Sequence, residues 1–177
     1  MTRFAPLLGL WATACLAWAG LASPGLAAEL PEYQLKAAFL FNFALFTDWP
    51  ADTGTTITLC VIEGGGFRNE LEEFQGQAVG TRRFVVQHVP DAESTQGCQL
   101  VFLPKAPAAT MARSMRHLAN RQALLLVGDS PEAAQAGVGI NMAINDSHVS
   151  FDVNLKTVQE AGLTLSSKLL RLARHVR

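Results

Sequence analysis

The hydrophobic and polar positions change period repeatedly along the chain. Apolar residues recur at helical spacing in some segments and form short runs rich in β-branched side chains in others. The predicted helices are Tyr33–Thr47, Phe67–Phe74, Ala108–Ala119, Pro131–Gln135, Leu155–Ala161 and Ser166–Val176. The predicted strands are Thr56–Ile62, Arg83–His88, Gln99–Leu103, Ala123–Val127, Gly139–Ile144 and His148–Asn154. Strands that alternate with helices need crossover connections, so we expect one α/β domain with a mainly parallel, Rossmann-like sheet, flanking helices and a C-terminal antiparallel hairpin.

The first predicted helix, Tyr33–Thr47, is apolar on nearly every side. Only Gln34, Lys36 and Asn42 interrupt its aromatic and aliphatic residues. A helix of this kind must be covered by the rest of its domain or by a partner, and a core helix is the simpler interpretation. Pro50 cannot continue a helix, so the helix is predicted to end before it.

Residues 1–27 have the pattern of a secretory signal peptide. A basic start is followed by the apolar stretch Leu7–Leu21, and small residues then favour cleavage after Ala27 or one residue later. An uncleaved membrane anchor would need about 20 consecutive apolar residues, whereas this stretch is short and broken. A lipid at Cys15 is a third alternative, disfavoured because the apolar run continues beyond it. The mature domain is therefore predicted to span residues 28–177 of an exported protein, without an anchor.

Charge and motif spacing restrict the function. The whole chain carries 14 Lys and Arg against 15 Asp and Glu, which argues against a nucleic-acid partner. Gly64-Gly65-Gly66 follows a predicted strand, but Asn69 stands where a dinucleotide fingerprint has its third glycine, so a tight turn is favoured. Asp146, Ser147 and His148 are the residue types of a hydrolase triad, yet adjacent turn residues diverge. We predict neither an enzyme nor a cofactor.

Cys60 and Cys98 are the cysteines that remain after the leader is removed. Export would place them where disulfides persist. Cys60 lies in the predicted strand Thr56–Ile62 and Cys98 directly precedes the strand Gln99–Leu103, so a bridge would tie neighbouring edges of a sheet. Two buried free thiols are the alternative. Metal binding is not predicted, because the histidines show no ligand spacing with either cysteine.

The last predicted helix, Ser166–Val176, combines leucines with basic residues. Such a segment is usually an amphipathic helix packed on its own domain, with favourable charges near its C-terminus. Alternatively, the bases frame an apolar contact with a partner or a membrane surface. The candidate partner-binding residues are Lys168, Leu169, Arg171, Leu172 and Arg174.

A set of short motifs occurs in order along almost the whole mature chain. The motifs are Lys36–Phe43 before Trp49-Pro50, Leu59–Ile62, Gly97-Cys98 before Val101-Phe102, Leu125–Asp129, Gly139–Asn141, Phe151–Asn154, Ala161–Leu163 and Ser166–Leu170. Together they resemble the YfiR family of periplasmic regulators. The chain departs from the family pattern at Val138, where a glycine is expected, and at Met142, where an aromatic residue is expected.

The resemblance implies a non-enzymatic, often dimeric α/β protein of the periplasm. Such a protein represses an inner-membrane diguanylate cyclase by binding the periplasmic sensory domain of that enzyme, and an outer-membrane lipoprotein can sequester it. The output would be a lower level of cyclic di-GMP, and hence altered biofilm and motility. The resemblance also implies that Cys60 and Cys98 form the structural disulfide of the family. This chain lacks the second cysteine pair of some members, so redox switching through that pair is not expected.

The alternative function is a small-molecule-binding accessory protein for another envelope sensor. It would require a ligand pocket, which the sequence does not locate.

Overall fold

The structure is a computed structural model that describes residues 32–145 and 148–177. The predicted signal peptide with its cleavage site, and Asp146 and Ser147 at the tip of the predicted hairpin, lie outside the described residues. Within the described part of the chain, no helix is long and apolar enough to cross a membrane.

Most strands form one mixed sheet. In chain order the described strands are β1 (Thr47–Asp48), β2 (Thr56–Ile62), β3 (Ala78–Val79), β4 (Arg82–Val89), β5 (Leu100–Leu103), β6 (Leu125–Gly128), β7 (Ile140–Asn145), β8 (His148–Val153), β9 (Thr164–Leu165) and β10 (His175–Val176). Their order across the sheet is β10-β8-β7-β6-β5-β2-β4-β3, while β1 and β9 form a separate antiparallel pair. The neighbours from β4 to β7 are parallel, β10 is parallel to β8, and β3–β4 and β7–β8 are antiparallel. The predicted α/β class, mainly parallel sheet and terminal hairpin are confirmed.

Helices cover both faces of this sheet. They are α1 (Glu32–Leu45), α2 (Ala108–Leu118), α3 (Pro131–Ala136), α4 (Leu155–Glu160) and α5 (Ser167–Leu170), with 3-10 turns at Ala51–Thr53 and Glu72–Phe74. In β2, Leu59 and Val61 belong to the core cluster that contains α1, whereas Cys60 and Ile62 belong to the cluster with α2 and α3. Successive side chains of a strand point to opposite faces, and both faces are buried here, so β2 is apolar at successive positions.

The aromatic helix α1 packs against the sheet, as predicted for a core helix. Leu40 and Phe43 are fully buried, and the Phe43 ring lies 5.1 Å from that of Phe151 in β8. The last turn is closed by two side-chain donors: Thr47 Oγ1 donates to the carbonyl of Phe43 and Trp49 Nε1 donates to that of Ala44. These bonds satisfy carbonyls that a helix C-terminus leaves without an intrahelical partner.

The prediction of an α-helix over Phe67–Phe74 is wrong. The segment forms turns and only the 3-10 turn Glu72–Phe74. Phe67 and Leu71 are buried, which explains the helical spacing of apolar residues, but they anchor a loop. Gly66, with φ +77°, lies against the Tyr33 ring, and a Cβ there would collide with that ring. Gly66 therefore allows close packing of this loop against α1.

The prediction of one helix over Ser166–Val176 is also wrong, because α5 ends at Leu170 and β10 follows. The backbone N–H of Arg174 donates to the carbonyl of Phe151, and the N–H of Arg177 donates to that of Val153. Edge groups of β8 are thereby paired, which a continued helix would not achieve. The need to satisfy backbone groups explains why the helical side-chain pattern is overridden.

Candidate partner-binding site

The five residues predicted to bind a partner have different environments. Ser166 caps α5, since its Oγ accepts a hydrogen bond from the N–H of Leu169, and its own N–H donates to the carbonyl of Phe46 at the end of α1. These bonds orient α5 so that Leu169 points inward, where it is 2% exposed. Leu169 is a core residue, and the expectation that it provides an exposed contact is wrong.

Leu172, in contrast, projects into solvent. Its exposed fraction is 71%, higher than that of the other exposed large hydrophobic residues of the described chain, Val176 at 45% and Leu45 at 40%. Lys168 and Arg171 are exposed as well and have no ion-pair partner within the described residues. Lys168 lies in α5, and Arg171 directly precedes Leu172 in the turn after that helix. The structure thus leaves one apolar side chain flanked by two unpaired cations.

Arg174 is committed to a contact within the protein. Its Nε and Nη2 donate to the two carboxylate oxygens of Asp152 at 3.0 and 2.6 Å, and His175 Nδ1 lies 2.9 Å from Asp152 Oδ1. The hydrogen bond from Arg174 is the largest cause that lowers the pKa of Asp152 to about 2; the contact with His175 adds to it, against the opposing effect of burial. The same pair raises the pKa of Arg174. Arg174 therefore attaches the C-terminal segment to β8.

The C-terminal segment is basic. Residues 161–177 contain no Asp or Glu, while their cationic side chains are Lys168, Arg171, Arg174 and Arg177. Asp152 pairs with Arg174, and no ion pair of the described residues involves Lys168 or Arg171. An acidic protein surface would be electrostatically complementary to this region. We define the basic C-terminal surface as Lys168, Arg171 and Leu172.

Cys60 and Cys98 are joined by a disulfide with a Cα–Cα distance of 5.9 Å. Cys60 is fully buried in β2 and Cys98 is 4% exposed just before β5. The sequence suggested that the bridge would tie neighbouring edges of a sheet. Instead, it joins the adjacent strands β2 and β5, which lie in the interior of the sheet. Its burial between the sheet and α2 is the environment of a structural disulfide.

The sequence pattern of α1 did not predict that Lys36, a polar interruption in an apolar helix, forms a buried ion pair. Lys36 is 4% exposed, and its Nζ lies 2.7 Å from Asp129 Oδ2 and 2.6 Å from Glu32 Oε1. Burial alone would lower the pKa of Lys36, but the hydrogen bonds to both carboxylates outweigh it and raise the pKa. The available signal was a lone lysine in an apolar helix together with an aspartate directly after the buried strand β6.

Comparison with known proteins identifies the family. The family model DUF4154, described as YfiR/HmsC-like, matches residues 33–174. The chain belongs to the YfiR/HmsC-like family. The matched region runs from α1 to the residue that pairs with Asp152, so it contains both Cys60 and Cys98 and the basic C-terminal surface of this chain. No curated protein matches the chain.

Two solved structures share the fold of this YfiR/HmsC-like protein. A conserved domain protein from Vibrio cholerae O1 biovar El Tor has 9% identity and a TM-score of 0.50, covering 84% of this chain and 61% of its own. An ABC domain from Streptococcus pneumoniae, in complex with L-Trp, has 14% identity and a TM-score of 0.52, covering 80% of this chain and 60% of its own. The chain therefore spans about three fifths of either structure, and at such identities the likeness concerns the fold alone.

The two departures from the YfiR pattern lie in the core. Val138 is 3% exposed in the cluster with α2 and α3, and Met142 is 1% exposed in the cluster with α1. Met142 is paired in register with Phe151 across the β7–β8 hairpin. Both departures therefore concern buried positions of this chain and not its exposed surface.

Proposed function

We propose that this protein is a periplasmic regulator that represses a membrane diguanylate cyclase by binding the periplasmic domain of that enzyme. The observation that carries the proposal is the match of the YfiR/HmsC-like family model over residues 33–174. The family is regulatory, so we infer a binding protein in place of an enzyme. The proposal includes export with cleavage of residues 1–27, sequestration by an outer-membrane lipoprotein and a homodimeric state.

A periplasmic protein can control a cytoplasmic reaction only through a partner that spans the membrane. Its binding must therefore favour one of two states of that partner, because a ligand with equal affinity for both states shifts nothing. To lower the active-to-inactive ratio of the cyclase tenfold, this protein must bind the inactive state about 1.4 kcal/mol more tightly.

The basic C-terminal surface is our candidate contact for the cyclase. Leu172 supplies exposed apolar area, and Lys168 and Arg171 supply charges that no described residue neutralises. An apolar centre with charges around it is a common arrangement in protein interfaces. The partner surface is accordingly expected to be acidic, with an apolar recess for Leu172.

The structure sharpens the choice of variants. Reversal of charge at Arg174 would break its two hydrogen bonds to Asp152, so any loss of repression could reflect a detached C-terminal segment. Lys168→Glu, Arg171→Glu and Leu172→Ser instead change exposed side chains that form no ion pair with the described residues. Arg116→Glu on the exposed side of α2 reverses one charge in another helix and is the matched control for the single reversals Lys168→Glu and Arg171→Glu.

The experiment measures cyclic di-GMP by mass spectrometry in cells that lack the gene and in cells complemented with each variant. Deletion should raise cyclic di-GMP and wild-type complementation should restore it. Lys168→Glu/Arg171→Glu/Leu172→Ser should fail to restore it while folding normally, and Arg116→Glu should complement. An unchanged level in the deletion strain would reject the regulatory function. Full complementation by the triple variant would reject only the proposed surface.

A further inference from the structure

The strand order places a topological switch point between β2 and β5. Among the parallel strands that run from β4 to β7 across the sheet, β2 comes first in the chain, β4 is added on one side of it, and β5, β6 and β7 are added on the other. In open α/β sheets, ligands bind at the carboxyl ends of the strands where the order reverses in this way.

A cavity of about 410 Å³ lies at this point. Its base is formed by residues at the ends of three strands: Ile62 of β2, Pro90 after β4, and Leu103 of β5. Met111 of α2 is 2% exposed and adds a further apolar contact. The volume falls in the range of small-molecule sites, about 300–1,000 Å³.

The wall formed by α2 carries positive charge and hydroxyl groups. Thr110, Arg113 and Ser114 line the cavity and, at spacings of three and four residues, share one face of the helix. Lys105, from the loop that enters α2, lines the same cavity. Guanidinium, ammonium and hydroxyl groups together provide hydrogen-bond donors suited to a carboxylate.

The loops after β2 and β4 contribute acidic side chains to the same cavity. Glu63 directly follows β2, and Asp91 and Glu93 follow β4. The cavity thus collects both signs of charge, yet in the described part of the chain the side chains of Glu63, Glu93, Lys105 and Arg113 have neither a hydrogen bond nor an ion pair with one another or with other residues. Unpaired charges of both signs around one cavity are available to a ligand.

We propose that this cavity binds a small zwitterion of amino-acid or dipeptide size, with its carboxylate toward Arg113 and its ammonium group toward Glu63 and Glu93. A dianionic ligand would face three carboxylates, and a polyamine would face Arg113 and Lys105, so each would place like charges together at a cost. A zwitterion satisfies both walls, and the apolar base accommodates its side chain. This inference is independent of the proposed regulatory function, because binding is measured on the isolated protein.

The test uses purified mature protein and saturation-transfer difference NMR with mixtures of free amino acids and of dipeptides that carry apolar, polar and charged side chains. At least one zwitterion is expected to bind, and calorimetry then gives its Kd. The N-acetylated and the C-amidated forms of that ligand should each bind at least tenfold more weakly, since each lacks one charge. Absence of binding by every mixture would overturn the proposal, as would equal affinity for the blocked forms.

Variants locate the site. Arg113→Gln and Glu63→Gln should each raise Kd at least tenfold while the melting temperature of the unliganded protein stays within about 2 °C of wild type, as expected for exposed side chains. Arg116→Gln, three residues along the same helix but outside the cavity lining, should bind like wild type. Equal weakening by Arg116→Gln, or unchanged binding by Arg113→Gln and Glu63→Gln, would place any binding elsewhere and overturn the assignment. Tighter binding of inorganic phosphate or spermidine than of any zwitterion would overturn the ligand class.

Discussion

Replacement of Lys36 by methionine should destabilise the fold strongly. Lys36 is 4% exposed and pairs at 2.7 Å with Asp129, whose side chain is only 13% exposed. Removing one member of a buried pair leaves the other charge without compensation, which costs about 3–5 kcal/mol. Within the described residues the other oxygen of Asp129 has no hydrogen-bond partner, so loss of Lys36 would leave both oxygens of this carboxylate without one. We expect Lys36→Met to lower the free energy of unfolding by about 3 kcal/mol.

Two further variants separate this ion pair from other contacts of Lys36. Glu32 also contacts Lys36, but its side chain is 49% exposed, so Glu32→Gln should cost no more than about 0.5 kcal/mol. Lys36→Met/Asp129→Asn removes both buried charges and should recover at least half of the loss, because a buried pair is often replaced by neutral groups at little net cost. The coupling energy from the double-mutant cycle is expected to exceed about 1.5 kcal/mol.

Urea unfolding provides the assay. Trp49 is the tryptophan that remains outside residues 1–27, and its Nε1 bonds to the carbonyl of Ala44 at the end of α1, so its fluorescence reports on the helix that carries Lys36. Far-UV circular dichroism gives an independent transition, and the midpoint and slope together give the free energy of unfolding. If Lys36→Met costs less than about 1 kcal/mol at an unchanged slope, or if the two single substitutions add without coupling, the ion pair does not stabilise the fold as argued.

Three other predictions follow from the disulfide, the C-terminal ion pair and the leader. Replacement of both Cys60 and Cys98 by alanine should lower the free energy of unfolding by about 4 kcal/mol, because the bridge closes a loop of 38 residues. Thiol titration of the unreduced, denatured wild type should find no free thiol in the mature chain. The folded pKa of Asp152, about 2, lies below the ordinary 3.8, so the ionised carboxylate stabilises the fold above about pH 4 and this contribution is lost as the pH falls toward 2. Asp152→Asn should therefore reduce the dependence of the unfolding free energy on pH in this range by up to about 1 kcal/mol. An unchanged acid profile in this variant would contradict the prediction. Intact mass of the exported protein should correspond to a chain that begins at Ala28 or one residue later, whereas a retained leader or a lipid at Cys15 would disprove cleavage.

Secondary-structure elements were predictable from the sequence where the spacing of apolar residues indicates which of their faces are buried. The strand Thr56–Ile62 has the predicted bounds, because a strand buried on both faces must be apolar at successive positions. The first helix was predicted to be buried because its apolar residues surround it, and Phe43 is fully buried. The disulfide partners were expected from the family resemblance, with Cys60 and Cys98 the two cysteines outside residues 1–27.

Features that depend on distant parts of the chain were not predictable. Lys36 and Asp129 are 93 positions apart, so no local period relates them. The cavity at the switch point was missed for the same reason: Glu63 and Arg113 line one space only because β2 and β5 are neighbours and α2 covers them. The order of strands arises from how the chain crosses the sheet, which hydrophobic spacing does not encode.

The C-terminal segment shows where local pattern and tertiary structure disagree. The spacing of Leu169, Leu172 and the basic residues after Ser166 indicates a helix, and α5 begins at Ser167 as that cap predicts. The chain then leaves the helix, because the edge of β8 offers hydrogen bonds to Arg174 and Arg177. Residue order alone establishes which side chains are apolar and where a helix can begin. Only the tertiary structure determined that Leu169 is buried and Leu172 is exposed. The fold brings the edge of β8 near the C-terminal segment, and the backbone groups of that edge need hydrogen-bond partners, which the segment supplies.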